Sequence, residues 1–302
     1  MNGHVDRNKV KVENMNKYLK YIPSSILVVI LLCSSIASNA SSVIIQGATV
    51  VASITDAQAI YGFTYSNNAT DVVNDIDIAA GGAIDSLGTY LIVGAASTKQ
   101  TDVVWAVGTN AGCLDTGVVG NSDYYLFVIE RSDTLVVDYL CSLSNTAPNI
   151  PANYNHERLI GWIKRVGGTV VAFTTYQTEG GGLEFLWTVP TLDINLAATL
   201  TTSRRTDAVK VPLNFSVIAH LNVYVEDTAS ITAAIVYCPD QSDVAPSNAI
   251  APLGTLNAST TLGGIRQMFV RTSAAGLIAA RSTVATTDLY RVVTNGFKWS
   301  RR

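Results

Sequence analysis

Residues 101–173 decide the fold: TDVVWAVGTNAGCLDTGVVGNSDYYLFVIERSDTLVVDYLCSLSNTAPNIPANYNHERLIGWIKRVGGTVVAF. Residues 105–117 are rich in Gly and Asn, which admit positive φ and tight turns. Residues 124–129 (YYLFVI) form a short apolar, aromatic run between Asn121-Ser122-Asp123 and Arg131-Ser132-Asp133. That length and composition fit a buried strand rather than a helix. Residues 134–140 follow as its hairpin partner. Pro148 and Pro151 break regular structure and force an extended connection. Gly167-Gly168 supplies a two-residue turn from residues 159–165 into 169–173. The stretch predicts a twisted antiparallel meander.

Upstream, residues 43–45 and 49–54 are strand-like, and 56–61 read as a short helical turn. Phe63-Thr64-Tyr65 opens a strand. Residues 71–80 alternate apolar and acidic side chains, as a half-buried strand does. Gly81-Gly82 reads as a turn into residues 83–86, and 90–94 (YLIVG) as a core strand. Downstream, Glu179-Gly180-Gly181-Gly182 is a glycine hinge or loop, with a soft boundary near Pro190. Strands are expected at 196–201, 209–211, 215–226, 231–237, 265–271, 276–280 and 289–293. In 215–226, Phe215, Val217, Ala219, Leu221, Val223 and Val225 share one face, the mark of a long sandwich strand. The expected fold is all-β: an antiparallel, jelly-roll-like β-sandwich, as one or two sandwich domains after a short N-terminal segment. The expected divisions are 1–42, a leader or anchoring segment, then 43–190 and 191–302.

Of the 302 residues, 48% are hydrophobic and only 14% charged, against about 25% charged in an average soluble domain. A surface so poor in charge suits a protein in lasting contact with other subunits. The net charge of −3 argues against nucleic-acid binding, which wants a concentrated basic patch. Arg204-Arg205 and Arg301-Arg302 read as isolated, solvated pairs. The four cysteines, at 33, 113, 141 and 238, include no C-x-x-C pair. Cys33 lies in the leader, and the three that remain read as free and buried.

At the N-terminus, Arg7, Lys9, Lys11, Lys17 and Lys20 precede the apolar run 26–32 (ILVVILL), which ends ahead of Ser38-Asn39-Ala40. This is a secretory pattern with cleavage expected after Ala40. The run is short for a membrane span of about 20 residues. Leu32, standing before Cys33, argues against lipidation. The alternative reading is a virion-anchoring segment.

Candidate chemistry is sparse. Asp115-Thr116-Gly117 matches the catalytic triplet of aspartic proteases, but those enzymes need two facing aspartates, and a structural turn is the favoured reading. Glu130, Asp133, Glu179, Glu184 and Asp193 could supply carboxyl pairs for glycoside hydrolysis, yet sequence spacing shows no flanking pair. Asp75, Asp77 and Asp85 could hold calcium, but alternation puts Asp75 and Asp77 on a solvated strand face and no calcium-loop pattern is present. His156 reads as a local hydrogen-bonding residue. No catalytic, metal or cofactor site is expected. Among the aromatics, Trp162 and Trp187 are expected in the core. Tyr154 and Tyr176 are the expected surface pair, able to stack on a sugar or a partner.

Three phrases of the opening stretch occur in a telling order: WAVGTNAGCLDTG, then DYLCSLS followed by P-x-x-P, then ERLIGWI ahead of the Gly-Gly turn. In that order they resemble a domain that recurs in tail-fibre, head-fibre and related appendage proteins of bacteriophages and prophages. The segments VPLNFSVIAHLNVYVED, MFVRTSAAGLIAAR and LYRVVTNGFKW are similar to the distal half of the same family, where a closing strand follows an N-G turn. The resemblance implies a non-enzymatic virion structural protein, a tail or head fibre that contributes to host-surface attachment. It implies a homotrimer, contacts with other virion proteins and with a host-surface glycan or protein, residues 1–60 attached to the particle, and a virion location. Two alternatives stand beside it: a capsid decoration or stabilising protein, and an exported bacterial β-sandwich adhesin or lectin, secreted or on the cell surface if the leader is cleaved.

Overall fold

The computed structural model describes residues 58–117, 119–197, 200–229, 232–246, 256–258, 264–285 and 287–301. The chain divides into two units, 1–40 and 41–302, and all described residues belong to the second. The strands expected at 43–45 and 49–54, and the leader, lie outside the described residues.

The elements are strands β1 (Ile60–Gly62), β2 (Tyr65–Asn67), β3 (Asp75–Ile78), β4 (Gly81–Ile84), β5 (Leu91–Gly94), β6 (Ser97–Val104), β7 (Ala111–Leu114), β8 (Asp123–Arg131), β9 (Val137–Ser142) and β10 (Tyr154–Val166). They continue with β11 (Thr169–Val170), β12 (Phe173–Gln177), β13 (Leu183–Ala197), β14 (Arg205–Ala208), β15 (Ile218–Glu226), β16 (Thr232–Tyr237), β17 (Leu256–Ala258), β18 (Gly264–Arg271), β19 (Leu277–Ser282) and β20 (Leu289–Trp299). A short 3-10 turn occupies Glu179–Gly181. The protein is all-β, as its strand-forming composition predicts.

Three sheets result: β1-β4-β5; a 13-stranded sheet in the order β11-β10-β8-β9-β7-β6-β3-β2-β12-β13-β20-β15-β18; and β14-β19-β16-β17. Among the described residues, every pairing is antiparallel except β6–β7 and β7–β9, and none closes a sheet into a ring. The predicted meander is present as β8, β9 and β10, with the Gly167-Gly168 turn leading into β11. β13 spans the soft boundary near 190 and pairs with β20 over Leu183–Leu186 and again over Thr191–Ala197, with a register shift between the two stretches.

Side chains connect strands that are distant in the sheet order. Trp162 on β10, second in the order, packs its ring 5.5 Å from Phe185 and 5.8 Å from Trp187 on β13, tenth in the order. Phe297 on β20 lies 5.6 Å away. Trp162 and Trp187 are buried, as expected. Val217, Ala219, Leu221, Val223 and Val225 are also buried, as the alternation predicts, but the strand begins at Ile218 rather than at Phe215, and His220 on the other face is buried too. On β3, Ile76 and Ile78 point inward while Asp75 and Asp77 stay half-buried, again as the alternation predicts.

Several expectations are corrected. Ile60 and Tyr61, assigned to a helical turn, belong to β1, because Ile60 buries its side chain while pairing with Ala83 of β4. Gly81 and Gly82 lie inside β4 rather than in a turn. A Cβ at Gly81 would sit 2.5 Å from the Tyr61 carbonyl oxygen, so close strand approach explains this glycine. Asn295-Gly296 is no turn either: β20 continues through it, with a register shift against β15.

The cysteine expectation is corrected as well. Cys113 and Cys141 form a disulfide, and only Cys238 is free and buried among the described residues. The odd count hid one bond plus one spare thiol.

Arg301, expected to be solvated, is 2% exposed. Its guanidinium donates to the carbonyls of Gly181 (2.9 Å), Gly62 (3.0 Å), Phe63 (3.3 Å) and Ile160 (3.4 Å). Burial pushes its pKa down to about 10. The cage ties the chain's end to β1, β10 and the glycine turn.

Lys99 and Asp138 form a second buried device. The ammonium lies 3.1 Å from the carboxylate and also donates to the carbonyls of Ala106 (2.8 Å) and Gly108 (3.1 Å). The Gly108 N–H donates back to Asp138 at 3.1 Å. The pair thereby fastens the loop between β6 and β7. Burial lowers the lysine pKa and raises the aspartate pKa, each opposed by its partner.

Candidate functional site

A cleft of about 1170 Å³ lies between β16 with residues 238–244 on one side and β18 on the other. β18 is the last strand of its sheet order, so its outer edge pairs with no strand among the described residues. Strand alternation exposes Ile265 (71%) and Phe269 (61%) on one face of β18. Arg266 and Arg271 are exposed beside them.

On the opposite wall, the Tyr237 hydroxyl donates to Asp243 at 2.8 Å, and Arg281 donates to the same oxygen at 2.8 Å. The Arg204 guanidinium lies over the Tyr237 ring, 5.6 Å from its centroid. Burial, then Asp243, raises the tyrosine pKa. The hydrogen bond from Tyr237, and then Arg281, lowers that of Asp243. The arrangement offers an aromatic ring, cations and amide groups for contact. Cys238 and Asp240 also line it, the free thiol donating to the Asp240 carboxylate at 3.8 Å.

A second polar cluster joins the end of β10 to the β4–β5 turn. His156 Nδ1 lies 3.1 Å from Asp85, whose carboxylate also accepts the N–H groups of Thr89 (2.8 Å) and Tyr90 (3.0 Å). Burial alone would raise the Asp85 pKa, but these hydrogen bonds and His156 outweigh it and hold it below the usual carboxylate range. The Tyr90 ring stacks on His156 at 3.9 Å, and its hydroxyl donates to Glu130 at 2.7 Å. Ser86 donates to Glu157 rather than to the histidine, so no Ser–His relay is built. The local hydrogen-bonding role expected for His156 is borne out. Glu130 is bound into this cluster.

Of the expected surface pair, Tyr176 is 53% exposed on β12, opposite Glu184. Tyr154 is corrected: it is 6% exposed, packed edge-on against Trp105 at 5.4 Å, with the Arg131 guanidinium 6.0 Å over its ring. Tyr154 opens β10, second in the sheet order, and Tyr176 sits on β12, ninth, so the two form no site together. Asp115 accepts the Asn149 N–H at 2.9 Å, and Asn149 Nδ2 donates to the Asp115 carbonyl at 3.2 Å. The D-T-G triplet is thus a structural turn, with Gly117 at φ +69°. Asp77 accepts hydrogen bonds from Asn68 and Thr98. No group of three or more metal-ligating side chains occurs among the described residues. No local sequence pattern marks the cleft, because its walls, β16 and β18, lie in different sheets and meet only in the fold.

No family model matches this chain, and no curated protein does. Among solved structures, a Bacillus thuringiensis Cry1Da tryptic core variant aligns at 9% identity with a TM-score of 0.19, over 79% of this chain and 51% of that one. The chain thus spans about half the length of that structure, and a likeness at this level carries no argument.

Proposed function

We propose that this chain is a non-enzymatic structural protein of a bacteriophage virion, a tail- or head-fibre appendage that self-associates as a homotrimer and contributes to host-surface contact. Its sheets would pack as a jelly-roll-like sandwich, a reading supported by Trp162 meeting Phe185 and Phe297 across the sheet order. The observation that carries the proposal is the way the fibre-like phrases meet. WAVGTNAGCLDTG holds the whole of β7 with the loops that flank it, and DYLCSLS covers most of β9 and its exit. Cys113–Cys141 bonds the first to the second, and Asp115 grips Asn149 between the two prolines. Two of the three phrases are thus fastened to each other, and the third lies on β10, which is joined to β9 through β8.

Fibres hold surfaces through many weak contacts at once, so avidity substitutes for single-site affinity. The exposed Tyr176 ring and the cleft beside Phe269 are the surfaces available for a glycan or protein. Decoration of a capsid without receptor contact is the neighbouring reading. An exported adhesin or lectin is the second, favoured by the leader pattern.

The test is peptide mass spectrometry on purified particles and on the cell-envelope fraction. Abundant protein in particles is the expected result. Absence from particles, with the protein confined to the envelope, sinks the virion reading in favour of the adhesin.

A further inference from the structure

We infer that this chain leaves the cytoplasm before it folds, and that Cys113 and Cys141 are oxidised to their disulfide in the compartment it enters. Both cysteines have no exposed surface in the folded protein. A thiol oxidant cannot reach sulfurs so enclosed, so the bond forms while the chain is still folding. The compartment of folding therefore decides whether it forms. Cytosolic thiols are held reduced, whereas the periplasm and cell exterior let disulfides persist.

The bond sits where the sheet most needs it. Leu114↔Cys141 is the one ladder pair between β7 and β9 among the described residues, and parallel pairing is slightly weaker per residue than antiparallel. The disulfide fastens the same two strands one residue away. Cys238, on the exit from β16, is left as a free, buried thiol.

A separate observation points the same way. Lys17 and Lys20, the apolar run 26–32 and Ser38-Asn39-Ala40 read as an export signal cleaved after Ala40.

The chemistry balances with one co-reactant. Each thiol gives up a proton and an electron as the S–S bond forms. The two electrons and two protons reduce the disulfide of an envelope thiol oxidoreductase to its dithiol form. The inference does not rest on the virion reading; if both hold, the particle acquires this protein outside the cytoplasm.

The full chain, expressed in a bacterium with a periplasm, is compared with a Val29→Arg variant that places a charge in the apolar run. Thiols are alkylated before lysis, and N-terminal and cysteine peptides are mapped without reduction. The full chain is expected in the periplasm, beginning at Ser41, with the Cys113 and Cys141 peptides linked and Cys238 alkylated only after unfolding. The Arg variant is expected to keep residues 16–40 and to carry alkyl groups on Cys113 and Cys141. A linked pair at equal yield in the retained variant overturns the inference, as does an exported full chain with both thiols free. Because a retained chain could misfold, the unaltered chain is also made in a host lacking its envelope thiol oxidase. There the exported protein is expected to have both thiols alkylated, and an undiminished linked pair would again overturn it. Particle association plays no part in these readouts.

Discussion

His220 shows how one residue can contradict its place in a pattern. The alternation along β15 puts it on the outer face, yet it is 4% exposed. The Phe269 ring from β18 covers it edge-on at 4.7 Å. Its Nδ1 is 3.6 Å from Glu184 of β13, and its Nε2 is buried without a hydrogen-bond partner. Burial lowers its pKa; Glu184 opposes this and Lys298 of β20 adds to it. The sign for stability follows. The unfolded chain binds this proton near pH 6.5, before the folded chain does. The contribution is therefore complete above about pH 6.5 and is lost as pH falls through that value toward the lower folded pKa. Urea unfolding of the native protein should show falling stability between about pH 8 and about pH 5. A His220→Gln variant should show a shallower fall, and identical pH slopes for the two proteins would refute this account. No sequence signal marks the burial, because the covering ring comes from an edge strand 49 positions further on in the numbering.

Gly161 makes the corresponding point for an element. It lies in the ERLIGWI run of β10, at a register shift against β8. A Cβ there would sit 2.5 Å from the Tyr65 ring. The absent side chain lets the Tyr65 hydroxyl accept the Trp162 N–H at 2.7 Å and donate to the Trp162 carbonyl at 2.9 Å. Gly161→Ala should therefore destabilise by about 1–3 kcal/mol through overpacking. Combined with Tyr65→Ala, it should cost less than the sum of the two single changes, because both act on one contact. Strict additivity in urea midpoints would show that the glycine is there for another reason. Elements such as β8, β10 and β15 were legible in the sequence because their apolar runs and alternation are local. The β7–β9 contact was not, since parallel neighbours are joined through intervening chain and leave no turn signature. Asn295-Gly296 misled because the pair has the same composition in a tight turn and in an irregular strand. The cleft was illegible because its walls, β16 and β18, belong to two different sheets and meet only in the fold.

At the scale of the whole molecule, one strand, β13 (Leu183–Ala197), spans the soft boundary expected near residue 190. β13 pairs with β12 over Leu183–Trp187 and with β20 on both sides of a register shift between Leu186 and Thr191. Trp162 from the first half rests on Phe297 from the second. Removing either half would strip β13 of a partner and open the aromatic core, so the described residues should unfold as one cooperative unit. Tryptophan fluorescence, reporting on Trp162 and Trp299 from opposite halves, should give the same urea midpoint as far-UV circular dichroism. Reduction of Cys113–Cys141, which closes a loop with a sequence separation of 28, should shift both probes together by roughly 3.5 kcal/mol on the chain-entropy scale. A reduced protein that loses only one of two resolved transitions would instead mean that the halves fold independently, with β13 serving as a linker between them.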